Sequence, residues 1–188
     1  NIGLLASDPG SRSSLELVLP TLLGALGHLP DPDLALNNLE RFAQKVLDRR
    51  FLLGLFRDNP RILHLALTIF GSSQFLSDIL ARQPQLFEWL LEPGVVHRPK
   101  SKEELLEEAR HAVAGAASLE RAWLALRRFK SQEILRIGLQ DLVGRQNLVG
   151  ITEELSNLAD VSLETAYRFC HAELVRRHGA PQVAGEAG

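Results

Sequence analysis

The sequence predicts an all-α protein: a helical bundle of about seven to eight helices, two long antiparallel helices at the C-terminal end, and no sheet. Three observations predict it. Leu and Ala dominate the apolar residues while Val, Ile and Thr are sparse, and unbranched side chains keep more rotamer freedom in a helix than β-branched ones do. Apolar residues recur at three- and four-residue intervals between capping residues. No alternating apolar run is flanked by hairpin turn signals.

Taken in order, residues 1–13 are Gly-, Ser- and Pro-rich and read as a flexible N-terminal segment. An N-terminal helical subdomain, 14–92, follows. Its first element is an apolar run from Leu15 to Leu29, a helix interrupted at Pro20. Asp31-Pro32-Asp33 opens the second helix: Asp31 as N-cap, Pro32 at the first helical position, Asp33 at the positive helix end. Leu39, Phe42, Ala43, Val46 and Leu47 then form one apolar stripe, and Arg49 and Arg50 suit its carboxyl end. Asn59-Pro60 starts a third helix, which Gly71 is placed to end in a left-handed conformation. Ser73 caps a short helix through Arg82, and Pro84 begins another that carries Phe87, Trp89, Leu90 and Leu91.

Residues 93–100 hold two prolines and a glycine without period and read as a linker. The C-terminal helical subdomain, 101–180, opens on Ser101-Lys102-Glu103-Glu104, a capping box in which the hydroxyl takes an orphan amide and Glu104 reaches back. Ser118 caps a long helix that stops at Gly144. The last helix is expected from about Thr152 to His178, ended by Gly179, with Leu155, Leu158, Ala159, Ser162, Ala166, Phe169 and Cys170 as its core stripe. Residues 181–188 read as a flexible tail.

Composition bounds the function. With 188 residues the chain can bury roughly 70% of its unfolded surface without a staple. A formal charge of −2 gives no basic field for nucleic acid. One cysteine, Cys170, cannot form an internal disulfide, which fits a cytoplasmic location. The Leu15–Leu29 run is broken by Pro20, Gly24, Gly27 and His28, so no membrane span or signal peptide is expected. An initial Asn and the absence of Met suggest a piece excised from a longer chain.

Tests for chemistry find no complete site. Neither a Gly-rich phosphate loop nor a paired-His metalloprotease motif occurs. His171 and His178 lie roughly 10 Å apart along their helix, too far for one metal ion. Glu107 and His111 have ligand spacing but no third member. Cys170 and His171 are adjacent and so point about 100° apart, which excludes a nucleophile–base pair and leaves Cys170 a buried structural thiol. Asp31-Pro32-Asp33, and Gly71-Ser72 with Asp78, imitate magnesium-binding carboxylates, but both fall in helical segments. The basic group Arg127, Arg128, Lys130 and Arg136 could contact nucleotide phosphates or an acidic partner. The alternative, favoured by spacing, is a solvated face paired with Glu133 and Asp141. Arg128 and Lys130 are thus the cofactor-binding candidates; no catalytic or metal-binding residue is assigned.

Several strings share an order and spacing. They are Leu36-Asn37-Asn38-Leu39-Glu40-Arg41-Phe42; Phe70 through Asp78; Arg82-Gln83-Pro84 leading to Phe87-Glu88-Trp89-Leu90; Leu126 through Lys130 with Glu133 through Ile137 and Asp141-Leu142; and Thr152 through Asp160. Together they resemble the N-terminal helical region of the bifunctional glutamine synthetase adenylyltransferase/adenylyl-removing enzymes, from about Leu34 to Pro181. The resemblance implies a nucleotidyltransferase parent that regulates nitrogen metabolism through glutamine synthetase, using ATP and magnesium. It also implies the PII signalling protein as a partner and packing of this region on a nucleotidyltransferase core. The Glu154-Leu155-Ser156-Asn157-Leu158-Ala159-Asp160 string looks like the first, deadenylylating half. The family's metal-binding Gly-Ser-Asp-x-Asp strand follows this helical region and is not in the sequence, so the resemblance places no catalytic residue, resident cofactor or metal here. Where the family is basic just after Lys130, Ser131 and Gln132 stand. The expected role is that of a helical, non-catalytic part of such an enzyme; the alternative is a free-standing helical adaptor.

Overall fold

In the computed structural model, which describes residues 9–180, the described chain folds into nine helices without a strand. They are α1 (Pro9–Leu26), α2 (Pro32–Ala43), α3 (Arg49–Asp58), α4 (Pro60–Ser72), α5 (Gln74–Arg82), α6 (Gln85–Leu90), α7 (Lys102–Ala114), α8 (Leu119–Leu142) and α9 (Leu148–His178). The expected tail and the first eight residues of the expected N-terminal segment lie outside the described residues. No single described helix is long and apolar enough to cross a membrane.

The caps explain most boundaries. Asp31 accepts the Leu34 amide at 2.8 Å, Asn59 the Arg61 amide at 3.2 Å and Ser73 the Leu76 amide at 3.3 Å. Gly144 and Gly179 take positive φ after α8 and α9, where a side chain would be strained.

Other boundaries depart from the sequence reading. Helix α1 begins at Pro9 and runs unbroken through Pro20, because Leu15, Val18, Leu22, Ala25 and Leu26 bury one stripe while Pro20 faces solvent. The second helix stops at Ala43, and Leu47 is fully exposed. Asp48 accepts the Phe51 amide at 2.9 Å and starts α3, so Arg49 and Arg50, expected at the carboxyl end of the preceding helix, open a helix to which the sequence pattern assigns no element. Arg49 still reaches the end of α2, donating to the Ala43 carbonyl at 3.1 Å. Gly71 is helical rather than left-handed. A Cβ there would lie 3.3 Å from the Ala35 Cβ and 3.4 Å from the Asp31 carbonyl oxygen, so its smallness serves close packing of α4 on α2. The last helix begins four residues earlier than read, capped by Asn147 on the Gly150 amide at 2.9 Å.

The chain divides into two compact units, Asn1–His97 with Gly138–Arg145, and Arg98–Ile137 with Gln146–Gly188. In the first, α2 packs on α4 and α5, and α1 on α3 and α4. Phe42 lies 5.4 Å from both Phe70 and Phe87, and Phe87 lies 6.2 Å from Phe56, ring centre to ring centre. Beside them, buried Asn38 donates to the Phe70 carbonyl at 3.0 Å and to Gln74 at 3.2 Å, while Arg41 bonds Asn38 at 3.0 Å and Asp78 at 2.8 Å. The two sequence strings around Asn38 and Gln74 are thus the two halves of one polar clasp between α2 and the α4–α5 turn. Phe42→Ala should lower the unfolding free energy by about 3–5 kcal/mol, read as a lower urea midpoint. An unchanged midpoint would show that this ring is not a core anchor.

Candidate functional site

The second unit is a three-helix arrangement. Lys102 pairs with Asp160, and Val113 shares a tight apolar cavity with Phe169 and Cys170, so α7 and α9 run parallel. Leu119, Ala122 and Leu126 line that cavity opposite Thr165 to Cys170, while Arg136 meets Glu154, so α8 runs antiparallel to α9. The apolar core is Leu105, Ala109, Leu126, Phe129, Ile137, Ile151, Leu158 and Val161. The buried stripe of α9 is Ile151, Glu154, Leu158, Val161 and Thr165; Leu155, expected in the core, is 40% exposed. Charged Glu154 and polar Thr165 occupy core positions that an apolar count passes over.

The capping box forms as the sequence predicts. Ser101 Oγ accepts the Glu104 amide at 3.2 Å, and Glu104 Oε2 accepts the Ser101 amide at 2.8 Å. Arg98 closes on the same carboxylate with bonds of 2.6 and 3.0 Å. Hydrogen bonding from Arg98 first, then from the Ser101 amide, draws the Glu104 pKa from 4.5 down to about 2. One residue earlier the chain is tied to α9, the Lys100 amide donating to Glu154 Oε1 at 2.7 Å.

Behind that anchor lies a buried charge network. Arg136 is fully buried, with Glu133 1% and Glu154 2% exposed. Arg136 donates from Nη2 to Glu154 Oε1 at 2.5 Å, from Nε to Glu133 Oε2 at 2.8 Å, and from Nη1 to the Arg98 carbonyl at 3.4 Å. Lys100 Nζ bonds Glu133 at 2.9 Å and Glu108 at 2.6 Å. Glu154 Oε2 is buried without a hydrogen-bond partner among the described residues. A guanidinium is charged in any accessible state, so it tolerates a dry interior only when carboxylates surround it. The network therefore clamps α8, α9 and the chain before α7 in one register. The exposed Lys102–Asp160 pair adds little by comparison.

The sequence grouped Arg136 with the basic surface residues; the structure takes it inside. Eight positions beyond Arg128 it has rotated about 80° further round the helix, toward α9. Glu133 is a partner the sequence pattern offers, though on a solvated face; the missed partners Lys100 and Glu154 carry one legible signal, a Glu at an apolar position of the Ile151–Leu158–Val161 period.

Arg127, Arg128 and Lys130 are exposed and have no ion-pair partner among the described residues. Arg128 and Lys130, the phosphate-contact candidates, are not brought together: two residues apart, they point about 160° away from each other. Arg128 alone lines an open groove of about 680 Å³ between α7 and α8, with Arg121, Leu124, Ala125 and Gln132 along α8 and His111 and Ala112 along α7. Glu108 and Glu133, the groove's acids, are both held by Lys100.

The remaining chemical candidates are dispersed. Cys170 is half-buried on the apolar cavity, whereas His171 is exposed and stacks on Tyr167 with ring centres 5.6 Å apart. Glu107 and His111 are exposed on α7, and among the described residues no three His, Cys, Asp or Glu side chains gather as metal ligands. Asp31 is used as an N-cap, and Asp78 is held by Gln74 and Arg41, which lower its pKa by hydrogen bonding, Gln74 first. These carboxylates do not fit a magnesium site.

Fold and site together define a helical unit whose buried charges hold helices. The chain belongs to the glutamate-ammonia ligase adenylyltransferase family, whose sequence pattern matches residues 63–188. It is 31% identical, over 90% of its length, to the bifunctional glutamine synthetase adenylyltransferase/adenylyl-removing enzymes of Brucella suis and Pseudomonas aeruginosa. To the enzyme of the same name from Thioalkalivibrio sulfidiphilus it is 27% identical over 91% of its length. The chain spans only 17–18% of the length of these relatives.

Two outcomes test the site. Arg136→Met should cost about 3–5 kcal/mol in urea unfolding by stranding two buried carboxylates, whereas replacing Arg136, Glu133 and Glu154 together by apolar residues of similar volume should recover most of that loss. Equal losses in both variants would contradict the clamp. Because the folded-state pKa of Glu104 is depressed, its contribution to stability is present above the unfolded carboxylate pKa and is lost as pH falls through the folded one. The thermal midpoints of wild type and Glu104→Gln should therefore differ at about pH 6 and converge toward about pH 2. A gap independent of pH would rule out the carboxylate as its source.

Proposed function

We propose that the chain is the helical, non-catalytic part of a glutamine synthetase adenylyltransferase, drawn from its adenylyl-removing half. In the whole, cytoplasmic enzyme it packs against the nucleotidyltransferase core and helps to dock glutamine synthetase or the PII protein. Magnesium and ATP chemistry belong, on this reading, to the rest of that enzyme. The observation that carries the proposal is the fate of the buried ionisable groups. Arg136 and Lys100 are paired with Glu133 and Glu154 and fix helix register, an arrangement suited to a rigid support and not to proton or phosphoryl transfer. Family membership supports the parent activity. The Glu154-Leu155-Ser156-Asn157-Leu158-Ala159-Asp160 string supports the adenylyl-removing half.

Incubated with adenylylated glutamine synthetase, inorganic phosphate and magnesium, the chain alone should release no ADP above background. Turnover that scales with its concentration would overturn the non-catalytic reading. In titration calorimetry with ATP, Arg128→Ala and Lys130→Ala should leave any affinity essentially unchanged, since the two side chains do not converge. A large loss would restore them as a nucleotide site.

A further inference from the structure

The α7–α8 groove of the second unit has the charge and shape of a seat for an acidic helix. Its α8 wall carries Arg121, Leu124, Ala125, Arg128 and Gln132, a run at i, i+3, i+4, i+7 and i+11 that faces one way. Leu124 is 60% exposed between the two arginines, and Ala112 and Phe129 complete the apolar floor. Arg121 and Arg128 are exposed and have no ion-pair partner among the described residues. The groove's acids are both engaged, Glu108 by Lys100 at 2.6 Å and Glu133 by Lys100 at 2.9 Å and Arg136 at 2.8 Å, so the charges left facing the groove without an ion-pair partner among the described residues are the two arginines. On a chain whose formal charge is −2, that local excess of positive charge is not a general property of the surface.

The spacing selects the ligand. Arg121 and Arg128 stand roughly 10 Å apart along the helix axis, with apolar surface between them. One phosphate group suits converging donors, whereas two carboxylates seven residues apart on a helix match this pair and place apolar side chains over Leu124. Resting on the reading that glutamine synthetase is the partner, we propose that this groove seats an acidic amphipathic helix on the surface of glutamine synthetase. The arginines steer and orient it, and the Leu124–Phe129 floor buries its apolar face.

The test is the binding of the whole chain to glutamine synthetase by biolayer interferometry at low and high salt. It compares wild type with Arg121→Glu/Arg128→Glu, and with Arg127→Glu/Lys130→Glu, which makes the same charge change on α8 outside the groove. Far-UV circular dichroism checks that both variants keep their helix content. The groove reversal should weaken binding by about tenfold or more and flatten its salt dependence, while the control pair stays within about twofold of wild type. If wild type binds but both reversals act equally or not at all, the groove is not the seat, and the proposed function stands. If binding is instead competed away by inorganic phosphate, the groove is a phosphate site and the acidic-helix proposal falls. If the wild-type chain fails to bind glutamine synthetase at all, the docking role falls, and the groove proposal with it.

Discussion

A guanidinium taken wholly out of water must bring its counter-charges with it, and in the second unit this requirement orders the surrounding structure. Arg136 has no solvent access, and Glu133 on its own helix and Glu154 on α9 both reach it as counter-charges. An axial slip of α9 by one residue would move the Glu154 carboxylate by ~1.5 Å and swing it ~100° around the helix. The register of α8 against α9 is therefore set by charge as well as by the apolar stripe. The same carboxylate takes the Lys100 amide, and Lys100 in turn bonds Glu133 and Glu108. The approach to α7 is thus written into the same network, and the capping box begins one residue later. Such networks cost desolvation and are poor sources of net stability, but they penalise every wrong register.

The first unit solves a similar problem with neutral groups. Asn38 is buried, and its amide ties the last turn of α4 to Gln74 at the start of α5 while accepting from Arg41. In both units a buried polar side chain, and not apolar area alone, specifies which helices meet. The groove between α7 and α8 gains its character from this economy. With its acids drawn toward Lys100, the exposed arginines of α8 are left to define its charge.

Much of this was legible in the sequence, and the misses have a common cause. Asp31, Asn59, Ser73, Ser101, Ser118, Gly144 and Gly179 mark helix ends through local bonds or local backbone geometry, so short-range reading finds them. Gly71 was misread because its smallness answers a neighbour 36 positions earlier, Ala35, and not a turn. Asp48 was overlooked because Leu39 to Leu47 keep a helical period across the break. The α9 stripe slid by one position because apolar Leu155 and Ala159 outscored Glu154, whose partners lie on other elements. Arg136 was assigned to a surface by its type, and only its position relative to Glu154 reveals that it is inside. The family was legible because the order of several strings carries more information than any one of them. Arg128 was legible as a basic surface residue, but its neighbours across the groove on α7 were not.

The central claim is that Arg136 and its carboxylates hold the Arg98–Ser101 approach and the N-terminal half of α9 onto α8. Amide hydrogen exchange followed by NMR in wild type and Arg136→Met addresses it at single residues. In Arg136→Met, protection should fall most at Lys100 and around Glu154, while the α2–α4 amides near Phe42 and Phe70 exchange as before. Unchanged protection at Lys100 and Glu154, or a uniform loss across both units, would contradict it.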